Sequence, residues 1–459
     1  MSVIVATCTA RELFEKKTIQ SSEGKEIKGK LTIPEYQRPY CWQDKQIDDL
    51  LRDFRVHFER DAELPYYLGS LILHQTEEQL NIIDGQQRIS TLAILGLISE
   101  QVQEISLEYT SSISHQQILK NIERLRSGLS QWKNWVDFNR IQFTLVVTQS
   151  EDDAYRFFET QNTGGVRLAG PDIIKAHHLR AVPKVHQTNS ARQWERLGDL
   201  NSVVMALLKG RYWQRIQPRN VPSHRQPKPI RDCIVSEFGE NTDIGDDVSF
   251  IRIRSISSPC GDLRNAIFQQ GYDVRQPINA GLNCVNYLAY FQKLRDKYWK
   301  NLELPHIKGY VDFCISLREL EGCGYLQDLF ETCLLMYISQ FGEYKLESAA
   351  KKLFRVVYSR RVTNQKSVRE SSIPAFINDN PVLDWIALSY TPQQCFSYLD
   401  AFKLTVDPNN IRDTKSVKAR FMKDVNNIFD LQIKDGHFDS QFGPALTNKI
   451  VALGGPCDE

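Results

Sequence analysis

A strand that runs straight into a helix through Asp84-Gly85-Gln86-Gln87-Arg88 constrains this chain more than any other feature. Leu80, Ile82 and Ile83 occupy strand-like positions before it. Leu92, Leu95 and Ile98, with Ile94 beside them, recur at helical spacing after it. Gly85 at the junction has no Cβ, so the backbone there is free to take an unusual dihedral or to approach a ligand closely. The first N–H groups of a helix lack partners inside it and carry a partial positive charge, which makes a ready site for an anion. Arg88 adds a permanent cation whose fork suits phosphate. Asp84 brings a carboxylate able to hold a metal ion or orient a water. The plainer alternative is an N-cap aspartate followed by solvated glutamines. Five polar or glycine positions in a row between two apolar elements favour a phosphate or nucleotide site.

The turn lies in a chain of 459 residues, long enough for two or three domains. A net charge of +1 gives no global field toward nucleic acid or membrane, so any such binding is local. No apolar run of ~20 residues is present to span a bilayer. Met1 to Ala10 lacks the basic-then-apolar pattern of a secretion signal. The ten cysteines form neither a CxxC pair nor a His-Cys cluster at zinc spacing, the usage expected of reduced thiols in a cytoplasmic protein.

Residues 1–30 read as a lead-in, with a polar loop or hairpin tip from Ser21 to Lys30, and Leu31 to Pro34 as a short strand. A helix from about Asp44 presents Ile47, Leu50, Leu51, Phe54 and Phe58 on one face. Tyr66 to His74 reads as a strand whose hairpin partner is the strand into Asp84, and Gly69 inside it marks a bulge or a close ligand approach. Residues 92 to about 140 read as helical and Phe143 to Thr148 as a further strand. Asn162-Thr163-Gly164-Gly165 is a strong turn between helices. Beyond residue 180 strands are hard to find. Segments 190–209, 282–302, 308–320, 324–342, 345–361, 384–404 and 415–431 carry helical periodicity, while 216–231 and 253–280 read as loops. The expected fold is an α+β N-terminal domain over residues 1–180, a small mixed sheet with helices, followed by a mostly α-helical region over 181–459.

Several blocks come in one order: Pro34-Glu35-Tyr36-Gln37-Arg38-Pro39-Tyr40-Cys41-Trp42, Tyr67-Leu68-Gly69-Ser70-Leu71, Ile83 to Leu92, Phe158 to Gly165, and Leu168 to Lys175. Together they resemble the N-terminal domain of the GmrSD-type modification-dependent restriction proteins, over roughly residues 10 to 180. The resemblance implies a ParB/sulfiredoxin-like fold in which the loop Gly85 to Arg88 contacts nucleotide phosphate. It also implies binding or hydrolysis of an NTP, ATP or GTP with Mg²⁺, that licenses DNA restriction. Carried over by position, Asp84 is the acid near the metal or the attacking water. Gln86 and Gln87 orient water or contact nucleotide, and Arg88 neutralises phosphate charge. Gln37 and Arg38 face the same pocket, although Arg38 also reads as a surface arginine stacked on Tyr36 or Trp42. Asn162 to Gly165 closes the pocket and Lys175 reaches in, the alternative being an ordinary helix–helix turn.

Nuclease-competent relatives carry an HNH centre that needs a histidine base and metal ligands held close together. The C-terminal half offers His186, His224, His306 and His437 without such a pattern, so cutting is expected of a partner nuclease. Two basic stretches free of acidic residues, 200–231 and 349–369, suit phosphate backbones. Arg211, Arg215, Arg219, Arg360 and Arg361 are their candidate DNA contacts, a solvated helix face being the alternative. The expected protein is a nucleotide-binding, NTP-hydrolysing defence component that senses phage or modified DNA. Its rivals are a nucleotide-gated DNA-binding module without hydrolysis, and a nuclease with an unrecognised centre.

Overall fold

The computed structural model describes residues 3–453 apart from 17, 61–63, 104, 106, 152, 155–169, 243–248, 257–266, 365–366 and 414. The chain forms two compact units, Met1–Arg196 and Leu197–Glu459. The helix Lys184–Arg196 packs on Gly170–Ala181 and belongs to the first unit.

The first unit is built on a five-stranded mixed sheet in the order β1-β7-β5-β6-β4. Its strands are β1 (Val3–Thr9), β4 (Lys30–Thr32), β5 (Tyr66–Gln75), β6 (Gln79–Asp84) and β7 (Ile141–Thr148). The β5–β6 pair is the antiparallel hairpin expected from the sequence, while β5–β7 and β4–β6 are parallel. Gly69 has φ +104°, and the β5–β7 register shifts between Tyr67 and Ser70, so the bulge is present. The stretch read as a lead-in is structured. Ile4, Ala6 and Cys8 alternate into the core as β1, and a Thr9–Glu12 capping box starts α1 (Ala10–Glu15). Residues Thr18–Gln20 and Glu26–Lys28 then pair as a short hairpin, β2–β3. α2 (Asp44–Arg60) buries Ile47, Leu50, Leu51 and Phe54 and packs on β5. α3 (Gln86–Ile98) is buried along most of its length, so the core fixes its axis and therefore the position of its first turn.

The second unit is mostly helical. Helices Asn201–Tyr212, Leu282–Arg295, Lys308–Arg318, Gly324–Phe341, Leu346–Val357 and Val417–Phe429 follow the expected periodicity. The segment 384–404 is two helices, Val382–Ala387 and Pro392–Ala401, because Pro392 starts a new helix capped by Thr391. Two expected loops are partly regular. The helix Pro227–Val235 begins on a proline, and Arg252–Ile256 pairs antiparallel with Ile267–Gly271. That pairing links strands separated by a connection longer than a tight turn, so no hairpin signal marks it.

Candidate functional site

The junction is formed by the end of β6, Gly85 and the first turn of α3. Gly85 is the N-cap with φ +95°, a left-handed conformation that a side chain rarely adopts. A Cβ there would also collide with Leu71 Cδ2. No side chain caps the helix. The first intrahelical bond runs from Ile89 N to the Gly85 carbonyl at 3.0 Å, so the amides of Gln86, Gln87 and Arg88 have no partner among the described residues. Asp84, 29 % exposed, lies beside them and accepts from Arg88 Nη2 at 3.3 Å.

The three long polar side chains of the motif face inward. Arg88 donates to the carbonyls of Leu68 at 2.9 Å and Ser70 at 2.8 Å, straddling the Gly69 bulge. A Cβ on Gly69 would lie 2.5 Å from Arg88 Nη1, so the glycine admits the guanidinium. Gln86 Nε2 donates to the Arg38 carbonyl at 2.8 Å and to Tyr109 Oη at 3.0 Å. Gln87 accepts from Cys41 N at 2.9 Å and donates to the Pro39 carbonyl at 3.1 Å. Gln37 Nε2 answers from the other side, donating to the Ile83 carbonyl at 3.0 Å. Both glutamines are buried, so neither is the solvated residue of the plainer reading. Together these bonds fasten the 37–41 segment to the start of α3.

Sequence reading missed the second layer. Tyr40, fully buried, meets Thr91 Oγ1 at 2.9 Å and accepts from Asn121 Nδ2 at 3.1 Å, while its amide donates to Ser114 Oγ. Ser114 and Asn121 lie two turns apart on α4 (Ser112–Ser127), a spacing that places them on one face and was the available signal. Tyr109 bonds Ser90 at 2.7 Å, and burial pushes its phenol up to about 12.

Lys175 is 2 % exposed, donates to the Gln37 carbonyl at 2.9 Å and pairs with Glu195 at 3.6 Å. Burial lowers its pKa from the ordinary 10.5, against the pull of Glu195 and Asp172. Between the lowered folded value and 10.5 the unfolded chain binds more protons, so this group's contribution to stability rises with pH across that window and is least below it. The urea midpoint of the wild type, relative to Lys175→Met, should therefore climb as pH rises toward 10.5; parallel pH profiles would refute this. Glu35, Arg38, Tyr109 and Glu195 line a cleft of about 30 Å³ here, room for one water and not for a nucleotide. Asn162, expected to close the pocket, lies outside the described residues. Among those described, no group of three or more His, Cys, Asp or Glu residues is placed to hold a metal ion.

Several cations of the basic stretches are taken up within the fold. In 349–369, Lys352 and Arg355 are buried and bind main-chain carbonyls at the ends of Pro392–Ala401 and Phe438–Val451. Arg361 is 3 % exposed and Arg360 half-buried. In 200–231, Arg211 pairs with Glu237 at 2.5 Å and bonds the carbonyls of Val274 and Gln276. Arg219 stacks on Tyr212 and also pairs with Glu237. Arg215 is exposed with no acidic side-chain partner among the described residues. As arranged, Arg361 is buried and the Arg211 guanidinium is taken up by Glu237 and two main-chain carbonyls.

No helix among the described residues is long and apolar enough to cross a membrane. Residues 11–179 match the family of the GmrSD restriction endonuclease N-terminal domain, and residues 186–415 match a family of unknown function, DUF7834. Neither match is an HNH nuclease domain. No curated protein matches the chain. The second match spans just over half of the chain, which therefore belongs to the DUF7834 family, its first unit being a GmrSD-type N-terminal domain.

Proposed function

We propose that the chain is the nucleotide-binding component of a prokaryotic restriction system, working in the cytoplasm with DNA and a separate nuclease. The observation that carries this reading is the uncapped start of α3, three unpartnered amides after a left-handed glycine with Asp84 beside them. Gln86, Gln87 and Arg88 would donate their main-chain N–H groups to phosphate oxygens. Asp84 would hold Mg²⁺, which when bound offsets phosphate charge. Gln86, Gln87 and the Arg88 side chain keep that turn in place through the 37–41 segment and the Gly69 bulge.

A second reading, binding without turnover, is favoured by the Arg88 guanidinium. It is engaged with two carbonyls and Asp84, so it is not a free cation for phosphoryl transfer. Titration of the purified chain with ATP or GTP tests the proposal. Asp84→Asn should weaken binding at least tenfold, ~1.4 kcal/mol, with Mg²⁺ present, and wild type in EDTA should fall to the same level. No nucleotide binding by wild type, or no effect of the variant, would overturn it. Phosphate release measured with and without DNA separates the two readings.

A further inference from the structure

The second unit holds a cleft of about 1110 Å³ among the helix Asn201–Tyr212, the segment 220–226, the start of the helix Gly324–Phe341 and residues 368–374. Its size is that of a site for a whole ligand. Its charges are arranged in a particular way. Each of its three carboxylates has a cation or hydrogen-bond donors of its own. Asp328 pairs with Lys209 at 2.9 Å, and Glu331 with Arg295. Glu370 accepts from Ser223 Oγ at 2.6 Å, from His224 N at 2.9 Å and from His224 Nδ1 at 2.8 Å. Arg225 and Arg369 remain. Both line the cleft, both are exposed, and neither has an acidic partner among the described residues.

Part of the lining is aromatic and apolar. Trp213 and Tyr325 line it, with Met205 and Ala206. The Glu370 bond fixes the His224 ring through Nδ1 and leaves Nε2 for a ligand. Two free guanidinium groups call for phosphate, and the aromatic rings for a flat π-face.

We propose that this cleft binds a nucleotide unit, a base with its phosphate, as a free nucleotide or as part of a single strand. It is a site separate from the α3 junction, and the proposal stands whether or not that junction binds NTP. The test uses the full chain with three probes: a deoxynucleoside monophosphate, a single-stranded oligonucleotide carrying 2-aminopurine, and inorganic phosphate. The doubly substituted variant Arg225→Ala with Arg369→Ala, both exposed positions, should bind nucleotide and oligonucleotide at least tenfold more weakly, with a shallower salt dependence. Trp213→Leu, which removes the π-face, should weaken nucleotide binding several-fold and leave phosphate binding unchanged. Tighter binding of the strand than of the monophosphate identifies nucleic acid as the source, and equal binding a free nucleotide; either upholds the site. Binding unaffected by the cleft variants, binding lost only in Asp84→Asn, or inorganic phosphate held as tightly as nucleotide would overturn it.

Discussion

Arg355→Met should cost the second unit about 3–5 kcal/mol, the usual loss when one partner of a buried ionic cluster is removed. The guanidinium is fully buried and donates to the Leu399 carbonyl at 2.6 Å and to those of Asp400 and Phe402 at 3.3 Å. Lys352 completes the cluster, holding Asp400 at 2.7 Å and the carbonyls of Ile450 and Val451. These carbonyls lie at the ends of two helices, where partial negative charge gathers, and those of Leu399 and Ile450 also accept from the amides of Phe402 and Leu453. Methionine fills the space but leaves those acceptors without Arg355's donors. Chemical denaturation checks the expectation, with Arg215→Ala as a surface control that should move the midpoint little. An unchanged midpoint in Arg355→Met would mean that the cluster is not structural.

Gly85→Ala should destabilise the first unit by roughly 2–6 kcal/mol, from about 1–3 for the left-handed dihedral and 1–3 for the collision with Leu71. Gly24→Ala separates the two terms. Gly24 also has positive φ, +75°, but a Cβ there meets nothing within 4 Å, so only the dihedral cost applies. Gly85→Ala should melt well below Gly24→Ala and lose nucleotide binding in the fraction that stays folded. Equal melting of the two would show that the approach of Leu71 does not constrain the junction.

The elements around this junction were legible because each follows one local rule. α2 shows helical periodicity, β5 and β6 form a hairpin, and Gly69 breaks a strand where Arg88 crosses it. β1 went unread although Ile4, Ala6 and Cys8 alternate, because its partner β7 lies more than a hundred residues away and no turn announces the pairing. Side-chain direction was harder still. Gln86 and Gln87 read as ligand-facing, yet their partners are main-chain groups of residues 38–41 and the Tyr109 hydroxyl, which a one-dimensional pattern does not bring together. The run from Lys351 to Arg361 reads as a charged face for the same reason. The carbonyls that draw Lys352 and Arg355 inward come from residues 399–402 and 450–451.

Hydrogen exchange at the main chain of residues 85–90 tests the nucleotide assignment most directly. If the amides of Gln86, Gln87 and Arg88 hold phosphate, adding an NTP with Mg²⁺ to the full chain should slow exchange in this peptide. The corresponding nucleoside should not, and protection should weaken in Asp84→Asn. Exchange here that is the same with and without saturating nucleotide, in a sample that binds it elsewhere, would contradict the account.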